Sequence, residues 1–108
     1  MLTREIALKI VKEFISRIQS EGTDIRTAVL FGSFVTDSQD DWSDIDLALV
    51  SDDFTGFGYE DKRSFARINA KNPFSLIHTK TYPSKYFEQG DPFIDQIKKT
   101  GIVIYQKT

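Results

Sequence analysis

The residues best suited to chemistry lie between positions 32 and 46. Gly32 and Ser33 are separated by nine residues from a second group, Ser-Asp-Ile-Asp at 43–46. A glycine–serine turn offers backbone N–H groups and a hydroxyl, the donors with which proteins hold phosphate oxygens. Two neighbouring carboxylates repel each other unless a cation or a proton lies between them, and such oxygen ligands suit Mg²⁺. The two groups together indicate a phosphate site beside a metal-binding pair.

Two apolar segments must position these groups. Residues 28–31 precede Gly32, and residues 47–50 follow Asp46, so the pattern predicts a strand, a turn, a polar connection and a second strand. Side chains two apart on a strand share a face, which predicts that Asp44 and Asp46 stand side by side. The alternative is a solvated strand face, but aspartate is depleted in strands, and the glycine–serine turn favours a functional pair.

The rest of the chain predicts helices alternating with strands. The predicted helices cover 4–20, a turn early in 34–42, 59–71, a turn around Tyr86, and a segment from Asp91-Pro92 to Gly101. The predicted strands cover 25–31, 44–51, 74–80 and 102–105, the last at an edge. The loop within 34–42 holds Asp37, Asp40 and Asp41. This order predicts an α/β (α+β) protein with a small mixed sheet flanked by helices.

Composition excludes several classes of protein. A net charge of −2 argues against a protein that binds duplex nucleic acid alone. The absence of cysteine excludes disulfides, thiolate metal sites and cysteine nucleophiles. No apolar segment approaches the length of about 20 residues that spans a bilayer. With 108 residues, we expect one small domain over 1–108, in the cytoplasm and without a membrane partner.

Competing motifs fit poorly. No P-loop is present, and Gly56 and Gly58 lack the third glycine of a dinucleotide-binding turn. A calcium loop starting at Asp37 would need Gly and Glu where Trp42 and Ala48 stand. A serine hydrolase would need a nucleophile elbow, which is absent.

Phe31-Gly32-Ser33, followed after nine residues by Ser43-Asp44-Ile45-Asp46-Leu47, resembles the signature of the polymerase-β-type nucleotidyltransferase superfamily. At this length the chain is similar to the minimal nucleotidyltransferases, and the motif spans roughly 28–50. The resemblance implies a nucleotidyltransferase fold, Mg²⁺ as cofactor, and transfer of a nucleoside monophosphate, most often AMP from ATP, to a hydroxyl on a protein or RNA. It also implies an antitoxin-like role beside a small helical HEPN protein.

Carried onto this chain, the resemblance assigns nucleotide binding to Gly32, Ser33 and Ser43. It assigns Mg²⁺ binding and catalysis to Asp44 and Asp46.

The chain departs from the family pattern on the third predicted strand, where the family usually has another carboxylate. The equivalent position here holds Ser75 or His78, and a neutral imidazole is a poor ligand for Mg²⁺. We expect Lys62, Arg63 or Arg67 to neutralise the negative charge of the substrate. The alternative is that these side chains only face solvent. Three hypotheses remain open: an active transferase, a weakened domain that neutralises a partner by contact, and a domain completed by another chain.

Overall fold

The computed structural model describes residues 2–36, 38–40 and 43–108. Four strands, β1 (Thr27–Phe31), β2 (Ile45–Ser51), β3 (Ile77–Pro83) and β4 (Ile102–Gln106), form a sheet in the order β3-β2-β1-β4. Strand β1 pairs antiparallel with β2 and β4, whereas β2 and β3 are parallel. The predicted mixed sheet is therefore confirmed, and the last strand lies at an edge as expected.

Helices cover both faces of the sheet. They are α1 (Arg4–Ser20), α2 (Ser33–Thr36), α3 (Gly58–Lys62), α4 (Ala66–Asn69), α5 (Ser84–Gln89) and α6 (Pro92–Thr100). On one face the apolar stripe of α1 packs on Leu30, Leu47 and Leu49. On the other face α5 and α6 pack on Val29 and Ala48. Within the described ranges, no helix is long and apolar enough to cross a membrane.

The two long helices begin where their capping residues predict. The Thr3 hydroxyl accepts a hydrogen bond from the Ile6 N–H at 3.2 Å, and Asp91 accepts one from the Ile94 N–H at 2.7 Å. Pro92 occupies the first turn of α6, where its missing N–H has no cost. Both helices end at or near the predicted residues, because the local capping signals act without help from the rest of the fold.

The helix predicted over 59–71 was wrong as a single element. It is divided into α3 and α4, with Phe65 buried in the turn between them. The Ser64 hydroxyl donates to the Asp61 carbonyl at 3.2 Å, and the Phe65 N–H bonds to the Lys62 carbonyl instead. A side chain that competes in this way for a backbone carbonyl disfavours a continuous helix.

The third strand begins three residues later than predicted. Residues Phe74–Leu76 form a 3₁₀ turn before β3. The Asn69 side-chain amide donates to the Phe74 carbonyl at 2.8 Å and to the Ile77 carbonyl at 3.2 Å, which fixes this turn. The strand predicted over 44–51 begins at Ile45, so Asp44 lies just outside it.

Candidate nucleotide and metal site

Strand pairing brings the predicted site residues together at one end of β2. Asp46 lies opposite Phe31 of β1 and opposite His78 of β3. The glycine–serine turn, Gly32 and Ser33, comes directly after Phe31. This turn and His78 therefore flank Asp46 on opposite sides.

Gly32 allows the turn to approach the Asp46 carboxylate. Its φ is +83°, in the left-handed region that side chains rarely adopt. A Cβ atom added there would collide with the Asp46 carboxylate oxygen and would lie 3.2 Å from its Cγ. Glycine is thus required at position 32 both by the backbone and by the space that Asp46 occupies.

Helix α1 holds the short helix that follows the turn. The Val35 and Thr36 N–H groups bond to the Gly32 carbonyl at 3.0 and 3.2 Å, which closes α2. The Arg4 guanidinium donates to the Phe34 carbonyl at 2.7 Å and to the Val35 carbonyl at 2.6 Å. Sequence reasoning missed Arg4, since nothing in the first turn of a helix indicates a bond to residues thirty positions away.

Asp46 is half-buried, and its surroundings make the negative charge of its carboxylate more costly than in water. Burial is the largest cause and raises the pKa of Asp46 above its ordinary value. Contact with His78, whose Nδ1 lies 3.5 Å from Oδ1 of Asp46, opposes this rise, and repulsion from Asp44 adds to it. A bound cation would relieve both the burial cost and the repulsion.

Ser43 bonds back to Asp40 and so closes a turn just before Asp44. Its hydroxyl accepts a hydrogen bond from the Asp40 N–H at 2.9 Å and donates to Asp40 Oδ1 at 3.2 Å. The Ser43 hydroxyl would therefore have to leave the Asp40 carboxylate before it could donate to a phosphate. The acidic residues Asp37 and Asp41, and Trp42, lie outside the described residues.

The donor set agrees with a Mg²⁺ ion that arrives with a nucleotide. Within the described ranges, no group of three or more histidine, cysteine or acidic side chains is placed to hold a metal. Mg²⁺ is usually held by one or two protein carboxylates together with water and substrate phosphates. Asp44, which is exposed, and Asp46 could supply the carboxylates. His78 occupies the β3 position opposite Asp46, whereas Ser75 lies in the 3₁₀ turn before β3.

A groove of about 550 Å³ runs along β3 on the His78 side of Asp46. This edge groove is lined in part by Phe57, Lys62, His78, Lys80, Tyr82 and Tyr86. Of the three cationic side chains predicted to meet substrate charge, only Lys62 lies there. Arg63 and Arg67 line two other hollows. Sequence reasoning missed Lys80, although its alternation with His78 on β3 is a usable signal.

Asp61 holds the wall of the edge groove in place. Its carboxylate is 5% exposed and accepts hydrogen bonds from the Thr55 N–H and hydroxyl, the Gly56 N–H and the Thr81 hydroxyl, at 2.8 to 3.0 Å. Burial alone would raise the pKa of Asp61, but these bonds outweigh burial and hold the pKa below its ordinary value. Asp61 therefore ties the 55–56 loop to β3.

A mixed sheet with a glycine–serine turn against a β2 aspartate defines the architecture of a nucleotidyltransferase fold. The fold resembles a candidate nucleotidyltransferase from Sulfolobus solfataricus, with 19% identity, a TM-score of 0.66, and coverage of 96% of this chain and 84% of that one. It also resembles a toxin–antitoxin structure with AMP-PNP, with 16% identity, a TM-score of 0.56, and coverage of 90% and 74%.

The family model for polymerase beta nucleotidyltransferases matches residues 13–108. The chain therefore belongs to this nucleotidyltransferase family, and the predicted family and fold are confirmed. No curated protein matches the chain.

Proposed function

We propose that the chain is a Mg²⁺-dependent nucleotidyltransferase that moves AMP from ATP to a hydroxyl on another molecule. The observation that carries this proposal is the contact between the glycine–serine turn and Asp46. Gly32 leaves the space for the carboxylate, and Arg4 holds the segment that follows Ser33. A phosphate placed on this turn would lie directly beside a carboxylate that needs a cation.

In this proposal Gly32 and Ser33 hold the β- and γ-phosphates, and Ser43 contacts the nucleotide after releasing Asp40. Asp44 and Asp46 hold Mg²⁺, which when bound neutralises charge on the transferred and leaving phosphates. The oxygen of the acceptor hydroxyl forms a bond to the α-phosphorus while its proton passes to water, and the bond from that phosphorus to the oxygen shared with the β-phosphate breaks. Pyrophosphate then leaves from the glycine–serine side.

The experiment is calorimetric titration of ATP into the purified protein with and without Mg²⁺, repeated with Asp44→Asn. We expect binding that needs Mg²⁺ and is lost in the variant, because the Asn amide cannot replace a charged ligand. Asp53→Asn, which removes another exposed carboxylate, is the matched control and should bind like the wild type. Equal binding by Asp44→Asn and the wild type would show that the metal site is wrongly assigned.

A second candidate function is favoured by His78, which stands where the family usually has a carboxylate. In this alternative the domain binds nucleotide weakly and neutralises a small helical HEPN-type partner by contact. The structural resemblance to a toxin–antitoxin structure with AMP-PNP supports a role beside a partner protein, and the HEPN type of that partner comes from the sequence resemblance alone. Co-expression with a candidate partner separates the two functions. If Asp44→Asn still neutralises the partner, contact is sufficient; if neutralisation and AMP transfer are lost together, catalysis is required.

A further inference from the structure

We propose that Phe93, at the start of α6, is the ring on which the base of the bound nucleotide stacks. This inference rests on the proposed function and deepens it, because it names a residue that sets base preference. The residues already assigned to the site contact phosphates and the cation, and none of them is assigned to the base.

Phe93 is exposed although its place in α6 predicts a buried side chain. Phe93 and Ile97 are four positions apart, a spacing that places both on the helix face that packs against the sheet. Ile97 is 2% exposed, as that face requires, whereas Phe93 is 47% exposed. A single exposed apolar side chain is ordinary in itself. Its position relative to the nucleotide site therefore decides what Phe93 does.

The Phe93 ring lies next to the glycine–serine turn. It packs edge to face with Phe31, with ring centroids 5.8 Å apart and ring planes at 89°. Phe31 directly precedes Gly32 and lies opposite Asp46 in the pairing of β1 with β2, so Phe31 and Asp46 share one face of the sheet. Phe93 therefore covers the face that carries the Asp46 carboxylate.

The geometry of the transfer directs the nucleoside toward this ring. In an in-line displacement the attacking and leaving oxygens lie on one axis. If pyrophosphate leaves toward the glycine–serine turn, this axis crosses the strands at Asp46. The ribose oxygen on the α-phosphorus then lies at right angles to the axis, so the nucleoside extends along the strands or away from the sheet.

One direction along the strands leads to Phe93. The next residue of β2 on the same face as Asp46 is Ala48, and Lys80 lies opposite Ala48 in the pairing of β2 with β3. The Lys80 Nζ atom lies 4.8 Å from the centroid of the Phe93 ring. A nucleoside that extends from Asp46 over Ala48 therefore meets the Phe93 ring.

The start of α6 is held in place before any nucleotide binds. Asp91 caps the helix by accepting a hydrogen bond from the Ile94 N–H at 2.7 Å, and its other carboxylate oxygen accepts one from the Tyr86 hydroxyl at 2.7 Å. These bonds fix the backbone that carries Phe93. A ring that is already positioned loses less conformational freedom when a ligand binds.

The contact between Lys80 and the ring leaves Phe93 available to a base. Within the described residues, Lys80 takes part in none of the ion pairs. A contact between a cation and a ring is weak at an exposed site. A base can therefore replace the ammonium group on the ring, and the ammonium group then stays beside the phosphates of the same ligand.

A phenylalanine ring gives a particular kind of base preference. Every base can stack on it, and preference comes from the strength of stacking, which favours the larger purines. The ring has no polar atom that could distinguish adenine from guanine. We therefore expect ATP and GTP to bind with similar affinity, and CTP and UTP to bind more weakly.

The test is calorimetric titration of ATP and of inorganic tripolyphosphate, each with Mg²⁺, into the wild type and Phe93→Ala. We expect the substitution to weaken ATP binding by about 5- to 150-fold, the loss of one stacked base, and to leave tripolyphosphate binding unchanged. Phe93→Trp keeps a ring and should bind ATP at least as well as the wild type. Phe57→Ala is the matched control, because Phe57 is 73% exposed and lies in the edge groove.

A fluorescent nucleotide reports stacking directly. The emission of 2-aminopurine riboside triphosphate falls when its base stacks on an aromatic ring. At saturation it should be dimmer on the wild type and on Phe93→Trp than on Phe93→Ala. Equal losses of ATP and tripolyphosphate binding in Phe93→Ala, equal effects of Phe57→Ala and Phe93→Ala, or equal emission on all three proteins would overturn the inference.

The inference and the proposed function fail in different ways. If ATP binding needs Mg²⁺ and Asp44 but Phe93→Ala binds ATP like the wild type, the assignment of Phe93 is wrong and the proposed function stands. If ATP binding needs Phe93 but not Asp44, the base contact stands and the metal site is wrongly assigned. If neither ATP nor tripolyphosphate binds with Mg²⁺, both proposals are wrong.

Discussion

Replacing Asp61 with asparagine tests the buried carboxylate that holds the edge groove. In Asp61, one oxygen accepts from the Thr55 N–H and hydroxyl, and the other accepts from the Gly56 N–H and the Thr81 hydroxyl. The threonine hydroxyls can rotate, but the two backbone N–H groups cannot. In either orientation, the amide nitrogen of the introduced asparagine would face one of these N–H groups, which would lose its acceptor.

The expected loss of stability in Asp61→Asn follows from these hydrogen bonds. A buried donor left without a partner costs about 1–3 kcal/mol, and the bond from the other backbone N–H changes from a charged to a neutral acceptor, which weakens that bond by about 1 kcal/mol. We therefore expect Asp61→Asn to lower the free energy of unfolding by about 2–4 kcal/mol. At about 4 °C per kcal/mol for a domain of this size, the melting temperature should fall by about 8–16 °C.

The assay is urea and thermal unfolding at neutral pH, with Asp53→Asn as the control. Asp53 is an exposed aspartate near the same loop, so the control makes the same chemical change without removing buried bonds. We expect the control to stay within about 0.5 kcal/mol of the wild type. If Asp61→Asn also stays within that range, the carboxylate is not buried among these donors and the account of the groove wall is wrong.

The difference in stability between the wild type and Asp61→Asn should depend on pH, and the pKa of Asp61 sets the direction. The pKa of Asp61 is lower in the folded protein than its ordinary value. A carboxyl group with a lowered folded pKa contributes stability that is present above its unfolded pKa of about 3.9 and is lost as pH falls toward the folded pKa. The stability gap between the wild type and Asp61→Asn should be constant near neutral pH and should narrow below about pH 4.

Three further changes and one control variant test the side of the site that holds the nucleotide. Gly32→Ala should cost about 1–2 kcal/mol of backbone strain and abolish Mg²⁺–ATP binding by displacing the Asp46 carboxylate. Gly22→Ala, also at positive φ but with no atom within 4 Å of the added Cβ, should lose stability and keep binding. Calorimetry on Arg4→Gln should show about tenfold weaker ATP binding, or about 1.4 kcal/mol, because the turn loses its anchor. Asp46→Asn should melt at a higher temperature than the metal-free wild type at pH 7, because burial raises the pKa of Asp46 and makes its charged form costly. This difference in melting temperature should shrink as the pH falls, because the wild-type carboxylate then takes up a proton.

Local signals predicted much of the fold. Helices α1 and α6 were predicted almost to the residue, because caps and apolar spacing act over a few positions. The position of His78 beside Asp46 could be given only as one of two alternatives, since it depends on the register of two parallel strands far apart in sequence. The buried role of Asp61 could not be predicted from the sequence, because the groups that donate to its carboxylate come from a loop and from β3.

The two sides of Asp46 are held by different parts of the chain. On the β1 side, Arg4 fixes the segment after the glycine–serine turn from α1; on the β3 side, Asp61 fixes the loop that lines the edge groove. These two anchors share no hydrogen-bond partner, so a defect in one should leave the other intact. Arg4→Gln should therefore weaken ATP binding, whereas Asp61→Asn should lower the free energy of unfolding and leave ATP binding unchanged at a temperature at which the variant stays folded. If Asp61→Asn weakened ATP binding as much as Arg4→Gln, the two anchors would act on one surface, and the division of the site at Asp46 would be wrong.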